Sequence, residues 1–151
     1  MSVTIDAREA APLSSSQEMY VNKSQNARYG GTASGIPAEI SGFWEAYRVG
    51  GRLPWKELFQ PSVDLCINGF RLAKSLSKVL STNEAMIKAR SSLSELFINK
   101  STGSVYKQND LIKLTKLGNT LKIIGEQGPS AFYNGVLTGF MISEINENGL
   151  H

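Results

Sequence analysis

Apolar residues recur at helical spacing along most of this chain. Ile40, Phe43, Trp44 and Tyr47 keep the i, i+3, i+4, i+7 order of a buried stripe. Pro37 stands where a first turn tolerates it, and Gly50-Gly51 supplies a stop. The pattern predicts a helix with a large buried aromatic face. A short second helix is expected from Pro54, with Trp55, Leu58 and Phe59 on one side. Pro61 should break or restart it before residues 62–68, and Gly69 takes the C-terminal stop position. Leu72, Leu76, Val79 and Leu80 form the next stripe, and Met86, Ala89, Leu93, Leu96 and Phe97 the one after. INKSTGSVYKQ, residues 98–108, sets a Gly-Ser turn between β-prone residues and predicts a small hairpin. Asp110 is the expected N-cap of a helix with Leu111, Leu114, Leu117, Leu121 and Ile124 on one side, ending at Gly125 or Gly128. Pro129 opens a last helix carrying Phe132, Val136, Leu137, Phe140 and Ile145, with Asn134-Gly135 as a start or kink.

Two stretches depart from helical spacing. Residues 13–35 are rich in Ser, Asn and Gly with no sustained period, which predicts a long surface loop. IDAREAAP, residues 5–12, alternates instead. On a strand, Ile5 and Ala7 point to one face, Asp6 and Arg8 to the other, and Pro12 cannot extend the ladder. The charged strand end has two explanations: Arg8 pairs with a neighbouring carboxylate, or it awaits a ligand.

Composition narrows the function classes. A chain of 151 residues, 41% hydrophobic and 19% charged, is the size and kind of one soluble domain. The net charge is only +3, and the basic residues are scattered among apolar ones, which suggests solvated helix faces rather than a nucleic-acid stripe. No run approaches the roughly 18 apolar residues of a membrane span, and no basic-then-apolar leader follows Met1. Cys66, the only cysteine, sits in the apolar context LCING and reads as a core residue. The sequons at Asn22 and Asn99 lie in polar stretches and lean towards a secreted fate with a glycan at each.

Candidate chemistry shrinks quickly. The only histidine is His151, expected to be a tail, so neither a Ser-His-Asp triad nor a histidine metal site is available. YGGTASG, residues 29–35, lacks the Gly-Lys-Ser/Thr ending and the feeding strand of a phosphate cradle and reads as a flexible loop. The aromatic residues are spaced for packing rather than for base stacking.

What remains is a set of blocks in order. IDAREAAP, then GIPAEISGFWEAYRVGGRLPWKELFQPSVDLCINGF, then DLIKLTKLGNTLKIIGEQGPSAFYNG resemble consecutive blocks of the large subunit of gamma-glutamyltransferases, also called gamma-glutamyl transpeptidases or glutathione hydrolases. The resemblance runs from Val3 to about Gly149. It implies an α+β fold: the mainly helical portion of an N-terminal nucleophile hydrolase αββα sandwich, with one strand near the N-terminus and a small hairpin. Residues 1–151 would then be a partial large-subunit domain.

The resemblance also implies an activity. Glutathione and other gamma-glutamyl compounds would be the substrates, and water, amino acids or peptides the acceptors, with no metal or organic cofactor. Arg8 matches the family arginine that holds the substrate α-carboxylate, and Asp6 and Glu9 would hold Arg8 in place. The nucleophile of the family is a threonine that opens the small subunit after self-cleavage, its own amine serving as base. Thr4, Thr32, Thr82, Thr102, Thr115, Thr120 and Thr138 have no matching surroundings, so the chain is expected to be an internal piece of a longer enzyme and inactive alone. Ala38 stands where family members often have glycine. The animal pattern would place the parent enzyme on the extracellular face of the plasma membrane or in secretion. A catalytically dead, family-derived binding protein and a helical interaction module are the alternatives.

Overall fold

Helices carry most of the chain in the computed structural model, which describes residues 2–147. In chain order they are α1 (Glu39–Gly50), α2 (Trp55–Asn68), α3 (Lys74–Thr82), α4 (Glu84–Lys88), α5 (Ser91–Phe97), α6 (Thr115–Gln127), α7 (Ser130–Tyr133) and α8 (Val136–Glu147). Strands β1 (Phe70–Arg71), β2 (Ile98–Asn99), β3 (Ser104–Val105) and β4 (Leu111–Ile112) are two residues each. The chain divides into two compact units: residues 59–122, and the preceding residues together with those from Ile123 onward. His151 lies outside the described residues.

In residues 59–122 the core is a cluster of Leu72, Leu80, Ile87, Val105 and Ile112, with Leu72 and Ile112 each 1% exposed. Two antiparallel pairs frame it. Strand β2 pairs with β3 in the expected hairpin, turned by Gly103 at φ +66°. Strand β1 pairs with β4, setting Phe70 opposite Ile112. This second pair overturns the helix expected from Asp110. Asp110 instead accepts a hydrogen bond from the Lys107 amide through Oδ2 at 2.8 Å, and α6 begins only at Thr115. Strand pairing wins because it buries Ile112 and turns Leu111 outward, a period of two that the helical reading of Leu111 could not accommodate.

Other expectations change in detail. Pro61 does not break α2, which continues through it to Asn68 and stops at Gly69, φ +95°. Burial of Val63 and Cys66 on the far side of Pro61 opposes the loss of one helical hydrogen bond. Residues 84–97 form two helices rather than one, parted where Arg90 becomes extended. Leu72 precedes α3 instead of joining its stripe, and Val79 is 56% exposed.

In the other unit α1 has the expected extent, but its buried residue is Gly42, and Phe43 stands 53% exposed. The stripe is therefore narrower than its spacing implied. Trp44, Tyr47 and Trp55 do pack together, with ring centroids 5.1–5.4 Å apart, and Trp55 Nε1 donates to the Ile124 carbonyl at 3.1 Å. Helix α6 ends at Gly128, φ +76°, and Asn134-Gly135 separates α7 from α8. Residues 13–35 form turns and short 3-10 segments without long elements. Within them YGGTASG contains the short 3-10 turn Gly31–Ala33, in which Gly31 is buried and a Cβ would lie 2.5 Å from the Ile145 carbonyl oxygen.

Candidate functional site

The expected N-terminal strand contributes one antiparallel bridge, in which Ala10 donates to the Ile36 carbonyl at 3.1 Å and Ile36 donates to the Ala10 carbonyl at 2.7 Å. Residues 2–9 form no ladder. Local polar groups capture the backbone instead: the Arg8 amide donates to Asp6 Oδ1 at 3.1 Å, a turn-forming bond that competes with sheet pairing. Pro12 then prevents extension beyond the bridge.

Arg8 itself stands open. Its Nη2 donates to Glu9 Oε1 at 2.8 Å, and the side chains are 83% and 52% exposed. A pair so solvated contributes little to stability. It also uses one edge of the guanidinium and leaves further N–H donors facing solvent. Arg8 lines an open hollow of about 380 Å³ with Ala7, Glu9, Gly35, Pro37 and Glu39 among the other residues. Planar donors at the rim of such a hollow suit a carboxylate, which takes two parallel hydrogen bonds from guanidinium.

The backing of this segment comes from residues 35–42. A Cβ on Gly35 would lie 2.7 Å from Glu9 Cγ, and one on Gly42 would lie 2.3 Å from Ala7 Cβ, so both glycines permit close approach on either side of Arg8. The start of α1 lacks a cap of its own, because Ala38 has no side-chain acceptor. Tyr133 supplies the missing partner: its hydroxyl accepts from the Ser41 amide at 3.1 Å and donates to the Pro37 carbonyl at 2.9 Å. Sequence reasoning missed Gly35, Gly42 and Tyr133 as parts of this site. The available signals were a glycine on the apolar side of an aromatic helix and an uncapped helix start.

The remaining sequence-predicted positions lie elsewhere along the chain. Asn22 is exposed in a turn with φ +58°, a conformation asparagine tolerates. Asn99 is half-buried at the end of β2, and its Oδ1 accepts from the Ser101 amide at 2.9 Å. Among the threonines, Thr32, Thr82, Thr120 and Thr138 each donate the hydroxyl proton to a backbone carbonyl at 3.0–3.1 Å. Those hydroxyls serve local structure. Among the described residues no group of three or more His, Cys, Asp and Glu side chains is placed to hold a metal ion, and no helix is long and apolar enough to cross a membrane.

Comparison with known proteins gives consistent matches over almost the whole chain. The family model described as gamma-glutamyltranspeptidase matches residues 1–150. Glutathione hydrolase 2 of Arabidopsis thaliana is 37% identical over 147 residues, 97% of this chain and 25% of that protein. The structure of the gamma-glutamyltranspeptidase of Helicobacter pylori superposes with a TM-score of 0.88 at 25% identity, covering 96% of this chain and 43% of that one. The gamma-glutamyltranspeptidase of Pseudomonas nitroreducens, solved in complex with L-DON, gives 0.83 at 28% identity with the same coverage. The chain spans about a quarter of the length of the curated relatives it matches.

Proposed function

The chain belongs to the gamma-glutamyltranspeptidase family, and we propose that it is the part of a glutathione-cleaving, gamma-glutamyl-transferring enzyme that holds the substrate α-carboxylate, through Arg8. The observation that carries this reading is the open guanidinium: a single exposed partner, Glu9, and a hollow beside it. Glu9 keeps the guanidinium on one side, and the substrate carboxylate takes the free edge. That contact fixes which way the gamma-glutamyl group points, so that its γ-carbonyl is presented to a nucleophile. In this reading the nucleophile is a threonine of the small subunit of the same precursor. Its hydroxyl oxygen attacks the γ-carbonyl carbon, the amine leaves with a proton, and water or an amino acid or peptide amine then takes the glutamyl group from the ester. The 151-residue chain alone is expected to release no chromophore from a gamma-glutamyl anilide.

The test is Arg8→Lys in the full-length enzyme. Charge is kept and the two-pronged donor is lost. Hydrogen bonds to charged groups are worth roughly 1.5–3 kcal/mol, so kcat/KM should fall by about one to two orders of magnitude, mainly through KM. Subunit formation should be spared. Normal KM with failed self-cleavage would make Arg8 a member of a structural ion pair and end the assignment.

For location, the reading extends to passage through the secretory pathway, with the parent enzyme secreted or on the extracellular face of the plasma membrane. The support is the exposure of Asn22, whose sequon is open to a glycan. Asn99 is the poorer acceptor, since its side chain is half-buried and engaged. Glycosidase treatment of protein made in a secretory host should lower the mass, and Asn22→Gln should remove most of that shift. No shift would favour a bacterial-type or cytoplasmic protein.

A further inference from the structure

We propose that Tyr133 is a positioning residue for Arg8, an inference that rests on the carboxylate-binding reading of Arg8. Its place in the sequence gives no hint of this, since 125 residues separate the two. The connection is built from contacts in order. The Tyr133 hydroxyl holds both sides of the α1 start, accepting from the Ser41 amide and donating to the Pro37 carbonyl. Ser41 is within the first turn of α1, whose amides have no intrahelical acceptor, and Ala38 offers none. Tyr133 is therefore the cap of α1, supplied from a distant helix.

What that cap holds is the bed of the arginine segment. Gly42 follows Ser41 directly and lies against Ala7; Ile36 precedes Pro37 directly and carries the bridge to Ala10. Arg8 and Glu9 lie between these two contacts. A shift of the α1 start thus moves both ends of the segment that bears the guanidinium. The side chain of Arg8 is too exposed to be fixed by packing, so its aim is set by its pairing with Glu9 and by the backbone that carries both residues. Edge-to-face packing of the Tyr133 ring on Phe132, with centroids 5.0 Å apart, orients the hydroxyl and does not depend on it. Tyr133→Phe accordingly removes the cap and keeps the ring.

The experiment is a double-mutant cycle in the full-length enzyme with a chromogenic gamma-glutamyl anilide. Loss of a neutral hydrogen bond is worth a factor of about 2 to 10, so Tyr133→Phe should raise KM about threefold to tenfold with kcat within about twofold. In an Arg8→Lys background the same substitution should change KM by less than about 1.5-fold, because the aim of a two-pronged donor no longer matters. Equal effects in both backgrounds, an unchanged KM, or a loss confined to kcat or to soluble yield would overturn the coupling. Amide hydrogen exchange supplies a readout independent of turnover. Tyr133→Phe should accelerate exchange at both Ser41 and Ala10, the latter through the bridge to Ile36; acceleration at Ser41 alone would also overturn it. An Arg8→Lys variant of normal KM whose Ala10 exchange still follows Tyr133→Phe would sink the carboxylate reading while leaving the mechanical link intact.

Discussion

Residues 59–122 and the rest of the described chain hold their structure by different means. In residues 59–122, large aliphatic side chains close over one another, and Leu72, Leu80, Ile87, Val105 and Ile112 are all nearly inaccessible. In the other unit the buried hydrophobic side chains are few, Ile124, Ala131 and Leu137 among them, and Val49 and Phe140 are each 67% exposed. There the ties are polar and long in sequence: Tyr133 to Pro37 and Ser41, Trp55 to Ile124, and Lys56 to Glu126 at 3.1 Å. Close approaches at glycines supplement them. One unit is closed by aliphatic packing; the other is held by tethers and carries the open Arg8 beside its hollow.

The sharpest break of this contrast is a cavity in the sealed unit. Leu72→Ala should cost about 2–5 kcal/mol, read as a lowered urea midpoint, because the 1%-exposed site has little freedom to collapse. Phe140→Ser, at an open position of the other unit, should stay within about 0.5 kcal/mol by the same assay. A matching loss at both positions would erase the distinction. Smaller is Gly42→Ala, whose new methyl meets Ala7 and must push α1 or the arginine segment aside, at about 1–3 kcal/mol. Unlike Leu72→Ala, it should also raise KM for the gamma-glutamyl anilide. Trp55→Phe removes one tether, the indole hydrogen bond to Ile124, and should cost about 0.5–1.5 kcal/mol.

The smallest effect expected is on acid stability. Glu84 is held below its ordinary 4.5 chiefly by a hydrogen bond from Lys88, and Glu95 likewise by Lys116. A carboxyl lowered in the folded state adds stability that is present above the unfolded value and lost as pH falls through the folded one. Both groups belong to residues 59–122, so acidification from about pH 4.5 downward should erode that unit slightly. Melting temperature against pH should show a weak acid slope, reduced by Lys88→Gln and by added salt, since the Lys116–Glu95 pair is exposed and the Lys88–Glu84 pair at least partly so. An acid slope indifferent to Lys88→Gln would remove the pair from the account.

Much of this was legible in the sequence where local signals agreed with burial. Gly103 between β-prone residues gave the hairpin, and Gly69 and Gly128 gave helix ends. Failures came where a distant partner decided the outcome. Leu111 and Ile112 have a helical neighbourhood in sequence, but Phe70 and Arg71 pair with them as a strand. Phe43 has the spacing of a core residue, yet Gly42 takes the contact because Ala7 needs room for its backbone and methyl. Asp6 lies in an alternating run, but its carboxylate binds the Arg8 amide, and the segment pairs only at Ala10. Tyr133 lies in a block marked by resemblance, while its capping role depends on Ala38 lacking an acceptor, a relation between positions 95 residues apart.

Contact between Arg8 and the substrate α-carboxylate is tested by deleting each partner in turn. In the full-length enzyme, kcat/KM is measured for a gamma-glutamyl anilide and for the 4-aminobutanoyl anilide, which differs only by lacking that carboxylate, with the native protein and with Arg8→Ala. The native enzyme should prefer the carboxylated substrate, and Arg8→Ala should lose about tenfold to a hundredfold of that preference while treating the shorter substrate almost as before. Preference retained in full by Arg8→Ala would contradict the account, and Arg8 would then be an exposed partner of Glu9 and no more.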